Sequence, residues 1–124
     1  MFNLFIVMIG GAIGAGLRHL VGVVMLGRLG PGFPWSTLTV NLVGGLFMGL
    51  LAGWLVRSGG SEPARLFCAV GVLGGFTTFS AFSLETFSML QRGDYGIAAL
   101  YVSASVIGAV ALLFLGLVAM RAAA

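Results

Sequence analysis

The chain has 124 residues, of which 60% are hydrophobic and only 7% are charged. A soluble domain carries about 25% charged residues, so this composition excludes a soluble domain and predicts an integral membrane protein. The formal net charge is +3, and all 6 basic residues are arginines.

Four segments are apolar over the length that a membrane span requires, which is about 20 residues for a helix. We predict transmembrane helices over 3–27, 36–56, 65–90 and 95–120. These spans use nearly the whole chain and leave only short loops. The predicted fold class is therefore all-α integral membrane, with a single four-helix transmembrane domain over residues 1–124.

The arginines show no bias toward one side of the membrane. An even number of spans places the N-terminus, the second loop and the C-terminus on the same side. The arginines then divide equally between the two sides, with Arg57, Arg65 and Arg121 on one and Arg18, Arg28 and Arg92 on the other. Because an excess of arginine and lysine marks the cytoplasmic side, this even division predicts a chain that inserts in both orientations. Chance scatter of so few charges is the alternative.

The first predicted helix contains glycines at helical spacing and one charged residue near its end. Gly10 and Gly14 form a pair of small residues four apart, which allows a second helix backbone to approach closely. Arg18 follows one turn later, and we expect it at the membrane interface. There it either extends its guanidinium to the headgroups or forms an electropositive vestibule that attracts anions.

The second predicted helix combines a glycine face with polar side chains. Gly45, Gly49 and Gly53 recur every four residues and predict close packing against a neighbouring helix. Thr37 and Asn41 are also four residues apart and therefore share a face. An asparagine within a span requires a hydrogen-bond partner, so Asn41 either bonds another helix or serves a pore.

The third predicted helix is interrupted by the sequence GGFTTFSAFS at residues 74–83. Adjacent glycines and adjacent threonines continue a helix poorly and release backbone polar groups that need partners in lipid. We therefore predict a third helix that is broken near mid-membrane. Phe79 and Phe82 lie three residues apart on one helix face and could present ring edges to an anion, although phenylalanines more often face lipid or a core. Glu85, the only carboxylate within a span, follows one turn later.

The fourth predicted helix continues the polar pattern. Tyr101 and Ser105 are four residues apart and point in the same direction, and the polar row ends one turn later at Ala109. Together with the hydroxyls of the second and third helices, these groups offer hydrogen-bond donors without a fixed negative charge. Neutral donors and phenyl edges suit a small hydrated anion, whereas a cation site would more often display intramembrane Asp or Glu.

The titratable residues do not form a catalytic arrangement. The single histidine, the single cysteine and the 3 carboxylates are dispersed along the chain, and no glycine pair is followed by the Gly-Lys-Ser/Thr of a phosphate loop. We therefore predict that the chain is not an enzyme. The arginines occupy both membrane sides, so we expect no nucleic-acid partner.

Three stretches of the sequence resemble the three signatures of the Fluc/CrcB family of fluoride channels. They are Gly10–Arg18, Thr37–Gly44 and Gly74–Ser83, which occur in the family's order on three of the four predicted helices. The resemblance implies a passive, fluoride-selective channel that exports cytoplasmic fluoride and so confers fluoride resistance. It further implies an antiparallel, dual-topology homodimer with eight helices and two pores. The dimer would lie in the lipid of the plasma membrane, which is the inner membrane in a Gram-negative bacterium.

The resemblance also implies roles for individual residues. Phe79 and Phe82 would be the aromatic residues along each fluoride path, and Asn41 would donate a hydrogen bond to the ion. The backbone carbonyls of Gly74 and Thr77 from both subunits would hold a structural Na⁺ at the dimer centre. The full fluoride pathway would comprise Thr37, Asn41, Phe79, Ser80, Phe82, Ser83, Tyr101 and Ser105. The vestibule would contain Arg18 and Glu85, with a position between helices as the other possibility for Glu85.

Two other functions stay open on the sequence alone. A small four-helix multidrug exporter of dual topology would also be compact, but proton-coupled exchange calls for a carboxylate deep in the first helix, and this chain has none there. A non-transporting assembly subunit would account for the small-residue packing faces. The chain also departs from the Fluc/CrcB pattern at Ala109, where family members often extend the polar track with another hydroxyl.

Overall fold

The computed structural model describes residues 1–123, and this part of the chain is built from helices joined by short loops. We number the helices in chain order. They are α1 (Phe2–Leu29), α2 (Trp35–Ser58), α3 (62–76), α4 (Ser80–Gln91) and α5 (Tyr95–Ala122). Because α3 and α4 together form the third span, four segments are long and apolar enough to cross a membrane. The predicted all-α fold with four membrane-length segments is confirmed, and the helices run slightly beyond the predicted spans.

Glycines in the left-handed region end two of the membrane-length helices. Gly30 has a φ of 75° after α1, and Gly59 has a φ of 64° after α2. A residue with a Cβ is strained at such a φ, whereas glycine adopts it readily. In this conformation the Gly30 N–H donates to the Leu26 carbonyl at 3.0 Å and so ends α1. Pro31 and Pro34 then prevent the chain from continuing α1.

The helices α2 and α5 pack with their backbones in direct contact. A Cβ atom added to Gly45 would lie 2.6 Å from the Ala109 carbonyl oxygen, and one added to Gly49 would overlap the Leu113 carbonyl oxygen. Gly53 extends the row, and the contacts advance in the same direction along both helices, so α2 and α5 run parallel. The packing face predicted from the glycine spacing is confirmed, because only residues without side chains permit this approach.

The helices α1 and α3 form a second parallel pair on the same principle. A Cβ atom added to Gly10 would lie 2.6 Å from the Phe67 carbonyl oxygen, and one added to Gly14 would overlap the Val72 carbonyl oxygen. The predicted pair of small residues in the first helix is therefore confirmed as a contact face, and its partner is the first half of the third span.

The third span departs from a continuous α-helix in two places. Leu66–Leu73 has the wider π-helical hydrogen-bond pattern, for which we made no prediction. Further along, helical geometry ends at Phe76 and resumes at Ser80, and Thr77 is extended with φ −84° and ψ 161°.

The two glycines of the GGFTTFSAFS segment stay within α3, although adjacent glycines disfavour a helix. Gly75 packs on α1, where an added Cβ would lie 2.6 Å from the Gly11 carbonyl oxygen. This glycine is therefore needed for the contact between helices. The departure from helical geometry begins only at the threonines that follow.

Few side chains are buried within a single chain. The buried cluster contains Phe82, Met89, Ala98 and Tyr101, which lie between α4 and α5. Long apolar faces of α1 and α5 are exposed. Apolar faces of this extent are unfavourable in water and suit the hydrocarbon of a bilayer. Helix length, composition and exposed surface together indicate a multi-pass membrane protein.

The contact between α1 and α3 predicts unequal effects of glycine-to-alanine substitutions in α1. Gly14→Ala places a methyl group against the Val72 carbonyl, and we expect it to lower the free energy of unfolding by roughly 1–3 kcal/mol, as overpacking usually does. Gly27→Ala is the matched control, because no atom lies within 4 Å of a Cβ added there. Thermal unfolding of the purified protein in detergent measures both variants. Equal unfolding midpoints would contradict the packing described.

Candidate functional site

The interruption of the third span is held by a reciprocal pair of hydrogen bonds with α2. The Asn41 side chain donates from Nδ2 to the Thr78 carbonyl at 2.9 Å, and its Oδ1 accepts from the Thr78 N–H at 2.8 Å. One side-chain amide thus satisfies both backbone groups of the non-helical Thr78. Asn41 therefore bonds the third span, at its non-helical interruption, and Nδ2 still carries a second N–H. The other role left open for it, in a pore, stays a prediction.

Two threonine hydroxyls complete the bonding around the interruption. The Ala81 N–H donates to Thr78 Oγ1 at 3.2 Å, which caps the first turn of α4. Thr77 Oγ1 donates to the Leu73 carbonyl at 3.0 Å and so bonds the end of α3. The Thr78 hydroxyl thus gives a partner to an N–H that the helix start otherwise leaves without one, whereas the Thr77 hydroxyl adds a second bond to a carbonyl that already accepts the Thr77 N–H at 3.1 Å.

The interruption also changes the partners of two carbonyls near the end of α3. In a continuous helix the Thr78 N–H would bond the Gly74 carbonyl, but here it bonds Asn41. The Gly74 carbonyl therefore loses its usual donor. The Gly75 carbonyl accepts from Arg18 Nε at 3.1 Å. Arg18 is half-buried against the interruption, and its place at a vestibule stays a prediction.

Four aromatic rings form a row from the surface of α4 toward the loop between α1 and α2. The ring centroids of Phe79 and Phe82 are 5.5 Å apart, and those of Phe82 and Tyr101 are 5.2 Å apart. Tyr101 then meets Phe33 edge to face at 5.4 Å. Exposure changes abruptly along the row, because Phe79 is 76% exposed and Phe82 only 8%. The Phe79 end of the row thus faces out of the chain, Phe82 and Tyr101 are buried, and Phe33 is half-buried.

Glu85 joins two helices through both of its carboxylate oxygens. Thr37 on α2 donates to Oε2 at 3.0 Å, and Tyr101 on α5 donates to Oε1 at 2.9 Å. Thr37 and Tyr101 are buried, and Glu85 is half-buried. These bonds place Glu85 between helices, which is one of the two positions predicted for it.

A cavity of about 320 Å³ lies beside the interruption, bounded by α2, α4 and α5. Its wall includes Asn41, Phe79, Phe82 and Ser105, and no charged side chain of the described residues contributes to it. Ser105 is 7% exposed, and its Oγ has no hydrogen-bond partner within residues 1–123. A buried hydroxyl without a partner is costly, so this donor favours a ligand that accepts a hydrogen bond. We call this space the uncharged cavity.

The predicted pathway residues divide between the uncharged cavity and its surroundings. Four of them lie together in the wall of the uncharged cavity: Asn41, Phe79, Phe82 and Ser105. Tyr101 lies outside that wall and packs against one of its rings. Thr37 and Arg18 line a neighbouring cavity of about 340 Å³. Ser80 and Ser83 are exposed and lie outside both cavity walls, and the Ser83 hydroxyl donates to a backbone carbonyl one turn back at 2.9 Å.

The structure adds residues that were not assigned to the site from the sequence. Thr78, Gly44 and Met48 line the uncharged cavity, and Phe33 ends the aromatic row. Gly44 lies one helical turn beyond Asn41, so helical periodicity could have predicted that both residues line the same cavity. Phe33 lies in a loop without periodicity, and no sequence pattern points to its contact with α5.

Comparison with known proteins identifies the family. The sequence profile described as "CrcB-like protein, Camphor Resistance (CrcB)" matches residues 5–117. The chain belongs to this family. The match runs from α1 through most of α5, and it therefore includes the interruption and the uncharged cavity.

Relatives in the CrcB family are similar over nearly their whole length. The chain is 59% identical to a protein of Sphingopyxis alaskensis, over 98% of this chain and 97% of the relative. It is 58% identical to a protein of Novosphingobium aromaticivorans over 95% of each chain. It is 53% identical to a protein of Caulobacter vibrioides, over 98% of this chain and 97% of the relative. Each of the three is named "Fluoride-specific ion channel FluC".

We expect Asn41→Ala to loosen the interruption, because both backbone groups of Thr78 lose their partner. An unsatisfied buried group costs roughly 1–3 kcal/mol, so the amides of residues 77–81 should exchange with solvent faster than in the unaltered protein. Hydrogen exchange measured by mass spectrometry on the purified protein follows these amides. Ser103→Ala, which removes an exposed hydroxyl from α5, is the control and should leave the exchange unchanged. Equal exchange in the two variants would contradict the role assigned to Asn41.

Proposed function

We propose that the chain is a fluoride-selective passive ion channel that exports cytoplasmic fluoride and so confers fluoride resistance. Relatives at 53–59% identity over nearly the whole chain carry the name of a fluoride-specific ion channel. The structural observation that supports the proposal is the uncharged cavity, in which the buried Ser105 hydroxyl has no hydrogen-bond partner among residues 1–123.

The groups around the uncharged cavity fit a small anion that must exchange water for protein contacts. Ser105 offers a free hydroxyl, and Asn41 retains one N–H after bonding the Thr78 carbonyl. Phe79 and Phe82 add ring edges, which carry partial positive charge. With no acidic side chain in the wall, nothing in it repels an anion at close range.

Export by this route needs only the membrane potential. Hydrogen fluoride is a weak acid whose neutral form crosses lipid and dissociates in the more alkaline cytoplasm, where the anion is trapped. An interior-negative potential drives an anion outward with about 2.3 kcal/mol per 100 mV, so neither ATP nor a coupling ion is required. The membrane in question would be the plasma membrane, which is the inner membrane in a Gram-negative bacterium.

The functional unit in this proposal is an antiparallel, dual-topology homodimer. A single chain leaves the hydroxyls of Ser80 and Ser83 and the backbone at Gly74 exposed, next to a Phe79 ring that is 76% exposed. Irregular backbone does not face lipid within a bilayer, so this surface needs a protein cover. A second copy in the opposite orientation would provide it, and the even division of the arginines permits that orientation. The interruption would then lie near mid-membrane, at the dimer centre.

The same proposal includes a structural Na⁺ at the dimer centre, held by the carbonyls of Gly74 and Thr77 from both subunits. The Gly74 carbonyl fits this role, because the Thr78 N–H bonds Asn41 instead of the Gly74 carbonyl. Thr77 is extended, so its carbonyl points away from the α3 hydrogen-bond ladder. Carbonyl oxygens are suitable ligands for a hard cation, which would offset the dipoles of these two groups.

A multidrug exporter is not favoured as the alternative. Proton-coupled exchange calls for a carboxylate deep in α1, and α1 contains neither Asp nor Glu. The carboxylate within the third span, Glu85, bonds Thr37 and Tyr101. The names of the relatives also favour a channel for fluoride.

Fluoride efflux from liposomes tests the proposed function. The purified protein is reconstituted into liposomes loaded with potassium fluoride, and valinomycin carries the balancing potassium. We expect electrogenic fluoride release, followed with a fluoride electrode, and no release of chloride from liposomes loaded with potassium chloride. Folded protein that releases no fluoride, or that releases chloride at the same rate, would exclude a fluoride-selective channel.

We expect Phe79→Ile and Phe82→Ile to slow this fluoride efflux roughly two- to tenfold, because each removes a ring edge whose contacts are worth about 0.5–1.5 kcal/mol. The elution volume on size exclusion should stay that of the unaltered protein, which separates a conduction effect from loss of assembly. Phe87→Ile is the matched control, because Phe87 lies on α4 with Phe82, is 55% exposed and does not line the uncharged cavity. An equal loss of efflux in Phe87→Ile would count against the assigned pathway.

A further inference from the structure

A further cavity, of about 410 Å³, lies between the end of α1, the loop at residues 30–34 and α4. Its volume falls within the range of about 300–1,000 Å³ that is usual for small-molecule sites. Glu85 forms part of its wall, together with the aromatic residues Phe33 and Trp35. We call it the Glu85 cavity. Its wall combines a carboxylate with aromatic surface, a combination that the uncharged cavity lacks.

The Glu85 carboxylate has hydrogen bonds but no cationic partner. Within residues 1–123 the ion pairs join Glu62 to Arg65 and Arg92 to Asp94. Arg92 also lines the Glu85 cavity, but its Nε donates to Asp94 at 3.1 Å. Each carboxylate oxygen of Glu85 accepts one hydroxyl, which leaves each with a further lone pair. Asp94 pairs with Arg92, so among residues 1–123 the Glu85 carboxylate keeps its acceptor capacity and has no cation bonded to it.

The rest of the wall suits a flat apolar group. The rings of Phe33 and Trp35 have centroids 4.7 Å apart and are inclined at 54°, so they present two differently oriented faces. Aromatic faces attract cations as well as apolar groups. Met25 and Met89 also line the cavity, and the flexible thioether chain of methionine adapts to varied ligand shapes.

We propose that the Glu85 cavity binds a small organic cation with a flat apolar body, of the aryl guanidinium class. The guanidinium would donate to the Glu85 carboxylate, a pairing that forms strong charge-assisted hydrogen bonds, and the aryl ring would lie against Phe33 and Trp35. An anion is disfavoured beside Glu85, because its charge and that of the carboxylate repel.

Binding of such a cation blocks fluoride conduction, and this consequence rests on the proposed function. Glu85 bonds Thr37 and Tyr101, both of which belong to the predicted fluoride pathway. A cation seated on Glu85 would hold the carboxylate, and with it the two hydroxyls that donate to it, in one position.

Binding is tested directly, without fluoride, on the purified full-length protein in detergent. Phenylguanidinium chloride is the probe, phenylurea is its neutral analogue of similar shape, and isothermal titration calorimetry is the measurement. We expect the protein to bind phenylguanidinium and to bind phenylurea at least about tenfold more weakly, since hydrogen bonds to a charged group contribute roughly 1.5–3 kcal/mol. Equal binding of the two probes, or binding of neither, would overturn the proposal.

Two variants locate the site. Glu85→Gln should weaken phenylguanidinium binding roughly ten- to hundredfold, whereas Glu62→Gln, which alters an exposed carboxylate paired with Arg65, should leave it unchanged. If Glu85→Gln does not fold, Phe33→Leu decides, because loss of the ring should also weaken binding of the probe. Binding by Glu85→Gln or Phe33→Leu that equals that of the unaltered protein would overturn the proposal.

A liposome arm separates this proposal from the proposed function. Phenylguanidinium should slow fluoride efflux over the same concentration range in which it binds. Binding without any fluoride efflux from the unaltered protein would refute the channel function and leave the cation site standing. Fluoride efflux that is unaffected at saturating phenylguanidinium would overturn the blocking role of the site.

Discussion

A peptide group without hydrogen-bond partners is costly in hydrocarbon, so a membrane helix can be interrupted only where another group replaces the lost bonds. Here the replacement is the Asn41 amide, which bonds both the N–H and the carbonyl of Thr78. The exchange has two consequences. It removes the usual donor from the Gly74 carbonyl, and it lets α4 begin afresh at Ser80 with Phe79 outside the helix. The aromatic row and the uncharged cavity both follow from that restart.

The Asn41 side chain is short, so the bond to Thr78 exists only because the helices lie unusually close. Gly44, one turn from Asn41, faces the Thr77 methyl group at a distance that leaves no room for a Cβ. On the other side, Gly75 fits against α1 and accepts a hydrogen bond from Arg18. The glycine faces are therefore more than a means of packing, because they bring the polar side chains within reach of the interrupted backbone.

The sequence predicted what depends on local pattern. Apolar length predicted the four membrane-length segments, and the spacing of Gly45 and Gly49 predicted a helix contact face. The hydrogen-bond partners of Arg18 and Glu85 could not be predicted, because both side chains bond residues distant in the chain. The sequence placed Arg18 at the membrane interface, and it left Glu85 either in a vestibule or between helices. The π-helical stretch in α3 was also not predicted, since the apolar residues 66–73 carry no local pattern that distinguishes it from an α-helix. The residue types of the candidate site were predicted from the sequence, but the division of these residues between the uncharged cavity and its neighbouring cavity was not.

That division has an electrostatic reason. Arg18 bonds the Gly75 carbonyl, and Glu85 bonds Thr37 and Tyr101. None of these residues lines the uncharged cavity. A fixed cation in the cavity wall would bind a small anion too tightly for it to leave, and a fixed carboxylate would keep it out. Neutral donors and ring edges avoid both extremes. The proposed passage of an anion therefore depends both on the residues that line the uncharged cavity and on the bonds that hold Arg18 and Glu85 outside its wall. The Glu85 cavity, whose wall contains the carboxylate, suits a cation for the same electrostatic reason.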